Sequence, residues 1–332
     1  MVRFALTLLW VMVRVAVARV FRGPLRSSWS FGTEVAVETL RALTVWVRRV
    51  GLNGLRAQVV SLERPPAEYA GVRWERVDVR GIPGVWFTPE DVDAQGTILY
   101  LHGGGYVTCS IETHRELMVR LARASRCRVL AVDYRLAPAH PFPAALDDAV
   151  AAYQFLLDAG VPREGIFVAG DSAGGGLTLA LLMTLRDRGV SLPRAAMCIS
   201  PWTDLAATGA TLQTNARTDY IPADLIVPCA QQYAGTHDLR HPLISPLYGE
   251  WHGLPPLLIQ VGGAETLLDD SRRVAERARA AGVSVTLEVA EDMFHVWHAF
   301  AQVAPQGKQA IKRMGDYVRQ HLTAGNDVSQ AA

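Results

Sequence analysis

The sequence predicts an α/β protein: a mainly parallel sheet of eight strands, covered by helices on both faces and closed by a helical cap. Three observations lead there. From residue 97 onward, short and continuously apolar runs alternate with helix-periodic segments, the pattern of strands buried on both sides. One of those runs, Ile166–Ala169, passes through Gly170-Asp171-Ser172-Ala173-Gly174 straight into a helix-forming stretch. The connection between Ser200 and Leu257 spans more than fifty residues, far beyond the usual sheet loop, and places an insertion at the carboxyl edge of the sheet.

Composition bounds the function. Half of the 332 residues are hydrophobic, enough for a sizeable core, and a formal charge of +1 offers no bulk attraction to nucleic acid. Cys109, Cys127, Cys198 and Cys229 show no paired spacing and sit in apolar contexts, as small buried hydrophobes of a reducing, cytoplasmic compartment do. The first residues are unusual. Between positions 4 and 21, ten Leu, Val and Phe residues accompany Arg14 and Arg19. The apolar residues favour bilayer insertion by roughly 3–6 kcal/mol, while two arginines at bilayer depth oppose it by roughly 5–7 kcal/mol. A helix lying on a membrane surface, or packed on the protein, is therefore expected over residues 4–21.

Gly23, Pro24 and Gly32 mark a break, after which Val37, Leu40, Leu43 or Thr44, Val47 and Val50 recur at helical spacing up to Gly51. Strands are expected at 73–79 and 85–89 with a turn over 81–84, then at 97–101, 128–132, 166–169, 195–199, 257–261 and 284–289. Helices are expected at 112–125, 144–158, 174–188, 223–233, 271–281 and 308–322. Residues 1–55 and 202–245 form the expected cap, 56–201 and 246–325 the sheet domain, and 326–332 a flexible tail.

Ligands bind outside the carboxyl ends of such strands, and three candidate groups fall there. Ser172, flanked by Gly170 and Gly174 on a strand-to-helix turn, is the candidate nucleophile. His102-Gly103-Gly104-Gly105 comes directly after the third strand; its unshielded N–H groups, with that of Ala173 at a helix N-terminus, are candidate oxyanion donors. A phosphate cradle is the competing reading, but neither glycine run matches a dinucleotide or P-loop string. The base should come last in the chain, which selects His295, with His298 as the alternative. The acid should come after the preceding strand, which selects Glu265; Asp269 is the alternative, although Asp269 and Asp270 read more simply as N-terminal charges capping a helix that starts near Ser271. Asp171 reads as a turn residue, and Arg135 and Asp148 as holding the loop after the fourth strand. Tyr106, Trp202, Tyr220 and Ile221 are candidate pocket residues, and Trp29, Phe31 and Trp46 add apolar surface to the cap.

These motifs resemble a known family. His102-Gly103-Gly104-Gly105, Asp133-Tyr134-Arg135-Leu136-Ala137-Pro138, Gly170-Asp171-Ser172-Ala173-Gly174-Gly175, Ser200-Pro201-Trp202-Thr203-Asp204-Leu205 and Phe294-His295 are similar to those of the hormone-sensitive-lipase-like esterases, bacterial lipase family IV, of the α/β-hydrolase superfamily. The resemblance covers about residues 70–300. It implies an α/β-hydrolase fold, a nucleophile at Ser172, an acid at Glu265, a base at His295, oxyanion donors at Gly103–Gly105 and Ala173, and a cap from the N-terminal helices and the insertion. Where the family usually has Asp-Pro-Leu, this chain has Glu265-Thr266-Leu267. The apolar residues before Phe21 exceed the common cap. Together these features point to a serine carboxylesterase for short- to medium-chain acyl esters, needing no metal or organic cofactor, with a small-molecule ester as its partner. A deacetylase or amidase on the same triad is the second reading, and a non-catalytic small-molecule receptor the third, which the presence of His295 opposes. A homodimer and peripheral membrane association through residues 4–21 are compatible with the sequence.

Overall fold

The structure, a computed structural model, describes residues 2–44, 71–93 and 95–329. The expected helix positions Val47 and Val50, the cap residue Trp46 and the 55/56 domain boundary lie outside the described residues. Eight strands form one sheet: β1 (Val72–Val79), β2 (Ile82–Pro89), β3 (Thr97–Leu101), β4 (Arg128–Val132), β5 (Ile166–Asp171), β6 (Ala195–Ile199), β7 (Leu257–Gly262) and β8 (Val285–Ala290). Their spatial order is β1-β2-β4-β3-β5-β6-β7-β8. β2 pairs antiparallel with both β1 and β4, and all other pairings are parallel.

The β1–β2 hairpin turns on Arg80 and Gly81, both at positive φ, with Val79 paired to Ile82. That is the two-residue turn whose twist suits a hairpin. The expected turn over 81–84 is thus displaced: Pro83 and Gly84 already belong to β2. Gly84 is held close there, because a Cβ would sit 2.8 Å from the Val79 side chain.

Helices cover both faces. α3 (Ile111–Ser125) and α9 (Pro305–Ser329) lie on one, α4 (Ala144–Asp158) and α5 (Ala173–Asp187) on the other, and α8 (Leu268–Ala280) comes after β7. Side chains alternate across a strand, so Leu99 and Leu101 of β3 pack toward α4 and α5 while Ile98 and Tyr100 pack toward α3 and α9. α9 is longer than the expected 308–322 and runs to Ser329. α8 begins at Leu268, ahead of Ser271, so Asp269 and Asp270 lie inside its first turn.

At the N-terminus, α1 (Val2–Arg22) packs Val11 and Val15 against Val35 of α2, a helix over 31–44. Among the described residues, no helix is long and apolar enough to cross a membrane. The long insertion after β6 contains α6 (Thr211–Thr214) and α7 (Ala223–Ala234).

Candidate active site

β3 pairs in parallel with β4 on one side and β5 on the other, so the order in which strands are added reverses beside it, and ligand crevices open at the carboxyl ends of such strands. The Gly-rich loop leaves β3 at this point and Ser172 leaves β5. Ser172 stands between β5 and α5 at φ 52°, ψ −119°. So sharp a turn needs glycine on both sides: a Cβ on Gly170 would lie 2.3 Å from the Gly174 carbonyl, and one on Gly174 would lie 2.0 Å from the Leu101 carbonyl. The Ser172 backbone is pinned, its N–H donating to Ile199 O at 2.8 Å and its carbonyl accepting from Trp202 N at 2.9 Å.

Gly104, at φ +115°, must be glycine as well, since a Cβ would meet Thr108 O at 2.2 Å. The Gly104 and Gly105 N–H groups have no acceptor among the described residues, and Ala173 opens α5, where backbone donors lack intrahelical partners. Gly103, expected among the oxyanion donors, is excluded. Its N–H donates to Asp171 Oδ1 at 3.0 Å.

Asp171 is therefore more than a turn residue. Fully buried, it also accepts from Tyr100 OH at 2.8 Å, and its Oδ2 lies 3.2 Å from His114 Nε2. Burial alone would raise its pKa, but the charge and hydrogen bond of His114, with Tyr100, hold it below the ordinary carboxylate value. This network ties the glycine loop to the strand that carries Ser172.

His295 Nδ1 lies 3.2 Å from Glu265 Oε1, and both side chains are buried. The other Glu265 oxygen accepts from Ser200 Oγ and from Gly262 N, each at 2.7 Å. Burial pulls the His295 pKa down, but the hydrogen bond and charge of Glu265, aided by Asp219 and Asp171, carry it above the ordinary imidazole value.

The alternatives sit elsewhere. Asp269 accepts from Thr211 N at 3.1 Å, and Asp270 is turned inward to accept from Thr203 N and Asp204 N at 2.7 and 2.8 Å. Burial pushes the Asp270 pKa up to about 7. His298 Nε2 is 2.8 Å from Gln260 Oε1, and burial holds its pKa down at about 3, so the ring is neutral. Arg135 grips Asp148 through Nε and Nη2, as expected of a loop clamp.

Ser172, His295, Gly104 and Gly105 line one cavity of about 330 Å³. Its walls are mostly apolar and include Trp202, Tyr220 and Ile221 together with Leu225, Ile226 and Phe300, and α2 adds Leu40, Leu43 and Thr44. Tyr106 does not line it. Its ring is buried against Tyr233, stacked nearly parallel with centroids 3.7 Å apart. Trp29 and Phe31 do not line it either; Trp29 packs edge-on to Phe294.

Three contributors escaped the sequence reading. Ser200 bridges Glu265 Oε2 and the Val296 N–H. Asp219, in the insertion, accepts from His295 N at 3.1 Å and from the N–H and hydroxyl of Thr266. His114, from α3, lines the cavity and contacts Asp171. Only Ser200 carried a signal, being first in the Ser200–Leu205 motif.

Comparison with known proteins agrees with this fold. A family model described as alpha/beta hydrolase fold matches residues 98–299. An acetyl-hydrolase of Streptomyces hygroscopicus is 44% identical over 274 residues, covering 82% of this chain and 89% of its own length. Among solved structures, EstE5 soaked with ethyl alcohol matches at TM-score 0.80 and 44% identity, over 82% of this chain and 92% of that one. An esterase from the bacterial hormone-sensitive lipase family matches at TM-score 0.76 and 41% identity, over 95% of this chain and 98% of that one.

Proposed function

The chain belongs to the hormone-sensitive-lipase-like esterases of the α/β-hydrolase family and is a carboxylic ester hydrolase; from that premise we propose an acyl-enzyme mechanism on Ser172, acting on esters with short to medium acyl chains. The observation that carries the reading is the shared cavity, which Ser172, His295 and the uncommitted N–H groups of Gly104 and Gly105 line together. His295 Nε2 takes the proton as Ser172 Oγ attacks the ester carbonyl. Glu265 holds the ring with its proton on Nδ1 and stabilises the imidazolium.

The developing oxyanion is received by the N–H groups of Gly104, Gly105 and Ala173, each such donor being worth about 10²–10³ in rate. Collapse expels the alcohol, which takes the proton from His295. Water, deprotonated by the same ring, then attacks the acyl-enzyme and releases the acid and free Ser172. We assign residues 202–245 with α1 and α2 to a cap over this cavity. Its volume, near the lower end of ligand cavities, favours short acyl groups.

The test is Ser172→Ala. Hydrolysis of p-nitrophenyl butyrate should fall by about 10⁴-fold or more at unchanged Tm. Activity within tenfold of the parent would remove Ser172 from the mechanism. The similarity to an acetyl-hydrolase favours deacetylation as a second reading. Rates on matched aryl acetates and acetanilides separate the two.

A further inference from the structure

We propose that α1 is a docking face for an anionic lipid bilayer, with its outward apolar side entering the acyl boundary and the arginine-lined cleft beside it receiving lipid phosphates. Leu9, Trp10, Val13, Val17, Val20 and Phe21 are each more than half exposed. At about 100° per residue they fall within an arc of roughly 120°. Val11 and Val15 occupy the opposite side and are buried against Val35. The helix is thus apolar on two faces, and packing among the described residues uses only one.

An exposed apolar stripe of this length marks an interaction surface, and the charge around it selects the occupant. α1 contains no acidic residue. Beside it opens a cleft of about 580 Å³ lined by Trp10, Arg14, Arg22, Arg41 and Arg217 around Glu38. Arg14 and Arg41 share Glu38, and Arg19 and Arg22 share Glu34. Among the described residues, five arginines against two glutamates leave an excess of three positive charges along this edge. A second copy of the chain docking by the same face would set this basic edge against itself, because a two-fold contact pairs identical patches. A bilayer carrying phosphatidylglycerol meets both features at once, burying the aromatic and aliphatic residues and neutralising the arginines.

The face also has a place in the work of the molecule. α2 packs Val35 and Ala42 toward α1 and turns Leu40, Leu43 and Thr44 into the cavity wall. A bilayer on α1 is therefore one helix away from the cavity. The proposal does not rest on the catalytic assignments.

The experiment is co-sedimentation of the full chain with vesicles of phosphatidylcholine alone, or with a quarter of phosphatidylglycerol. The parent protein should partition roughly tenfold or more toward the anionic vesicles, and high salt should screen that preference. Val13→Asp, Val17→Asp and Val20→Asp together should abolish pelleting, with hydrolysis of soluble p-nitrophenyl butyrate kept within about twofold as the measure of an intact fold. Arg217→Glu should weaken binding to anionic vesicles and leave neutral ones unaffected. Three results overturn the proposal: a parent protein that stays in the supernatant with both vesicles, a triple variant that pellets like the parent, or a parent dimer that the triple variant breaks without any vesicle binding.

Discussion

Replacing Glu265 with glutamine probes the candidate acid by changing one atom in a fixed frame. Two donors, Ser200 Oγ and the Gly262 N–H, converge on Glu265 Oε2 at 2.7 Å each, so the atom there must remain an acceptor. The amide oxygen therefore takes that position, and its NH₂ group faces His295 Nδ1. Nδ1 must then accept, the ring proton moves to Nε2, and Nε2 loses the lone pair that would take the Ser172 proton. An amide at the acid's position of such a triad lowers kcat by about 10⁴-fold, and that is the loss expected here.

A second readout has its own sign. The base works neutral, and Glu265 is the largest influence raising the His295 pKa, so the parent loses activity as pH falls through a value above the ordinary imidazole range. With the charge removed, the acid limb should move to lower pH. The assay is kcat and kcat/KM for p-nitrophenyl butyrate from pH 5 to 9, with Tm as the control for folding. Asp269→Asn, which touches only the Thr211 side of α8, should keep kcat within about threefold. A loss below tenfold in Glu265→Gln, an acid limb that does not move, or an equal loss in Asp269→Asn would refute the reasoning.

The same geometry sets three more outcomes. Gly104→Ala must displace the loop, because its Cβ would lie 2.2 Å from Thr108 O at a φ of +115°; kcat should fall about 10²–10³-fold with little change in KM, read from steady-state kinetics. Asp171→Asn leaves an acceptor for Tyr100 and Gly103 but removes the charge facing His114, so kcat should drop about ten- to a hundredfold and Tm should fall in parallel. An unchanged kcat would separate the glycine loop from this network. Across p-nitrophenyl esters from acetyl to dodecanoyl, kcat/KM should peak near about four to six carbons and decline beyond, as a 330 Å³ cavity requires; a maximum at dodecanoyl would contradict that volume.

What the sequence made legible was whatever has a local cause. Thr97–Leu101, Arg128–Val132 and Ala195–Ile199 fall within the expected bounds because uninterrupted apolar runs admit only a buried strand, and Ala144–Asp158 is bounded by Pro143 and Gly160. The strand–serine–helix turn is equally local, since Gly170 and Gly174 are demanded by backbone atoms packed against the turn itself. Errors arose where a side chain's role depends on a distant partner. Asp270 does stand in the first turn of α8, as expected, but nothing local showed that the backbone of Thr203 and Asp204 turns it inward. Gly103 looked equivalent to its neighbours, and only the folded position of Asp171 engages its N–H. Tyr106 adjoins the glycine run as a pocket residue would, yet Tyr233 of the insertion stacks on it and removes it from the wall. Asp219 lies in a polar stretch with no periodicity and no motif around it.

Those distant contacts give the insertion a role beyond covering a cavity. Asp219 accepts from the His295 backbone with one oxygen and from Thr266, next to Glu265, with the other. Asn215 donates to the carbonyls of Gly263 and Glu265, and Thr218 to that of Ala264. From the N-terminal segment, Trp29 Nε1 donates to Asp292 O, just ahead of the candidate base. The loops that carry Glu265 and His295 are thus held by the segments that wall the cavity. A displacement of the insertion that breaks the Asp219 bonds leaves buried N–H groups on His295 and Thr266 without partners, at a cost of about 1–3 kcal/mol each. The position of the insertion and that of the His295 and Glu265 loops are thus linked through Asp219. Variation at Ile221 changes the cavity wall, but Asp219 nearby is constrained by the His295 and Thr266 groups it holds.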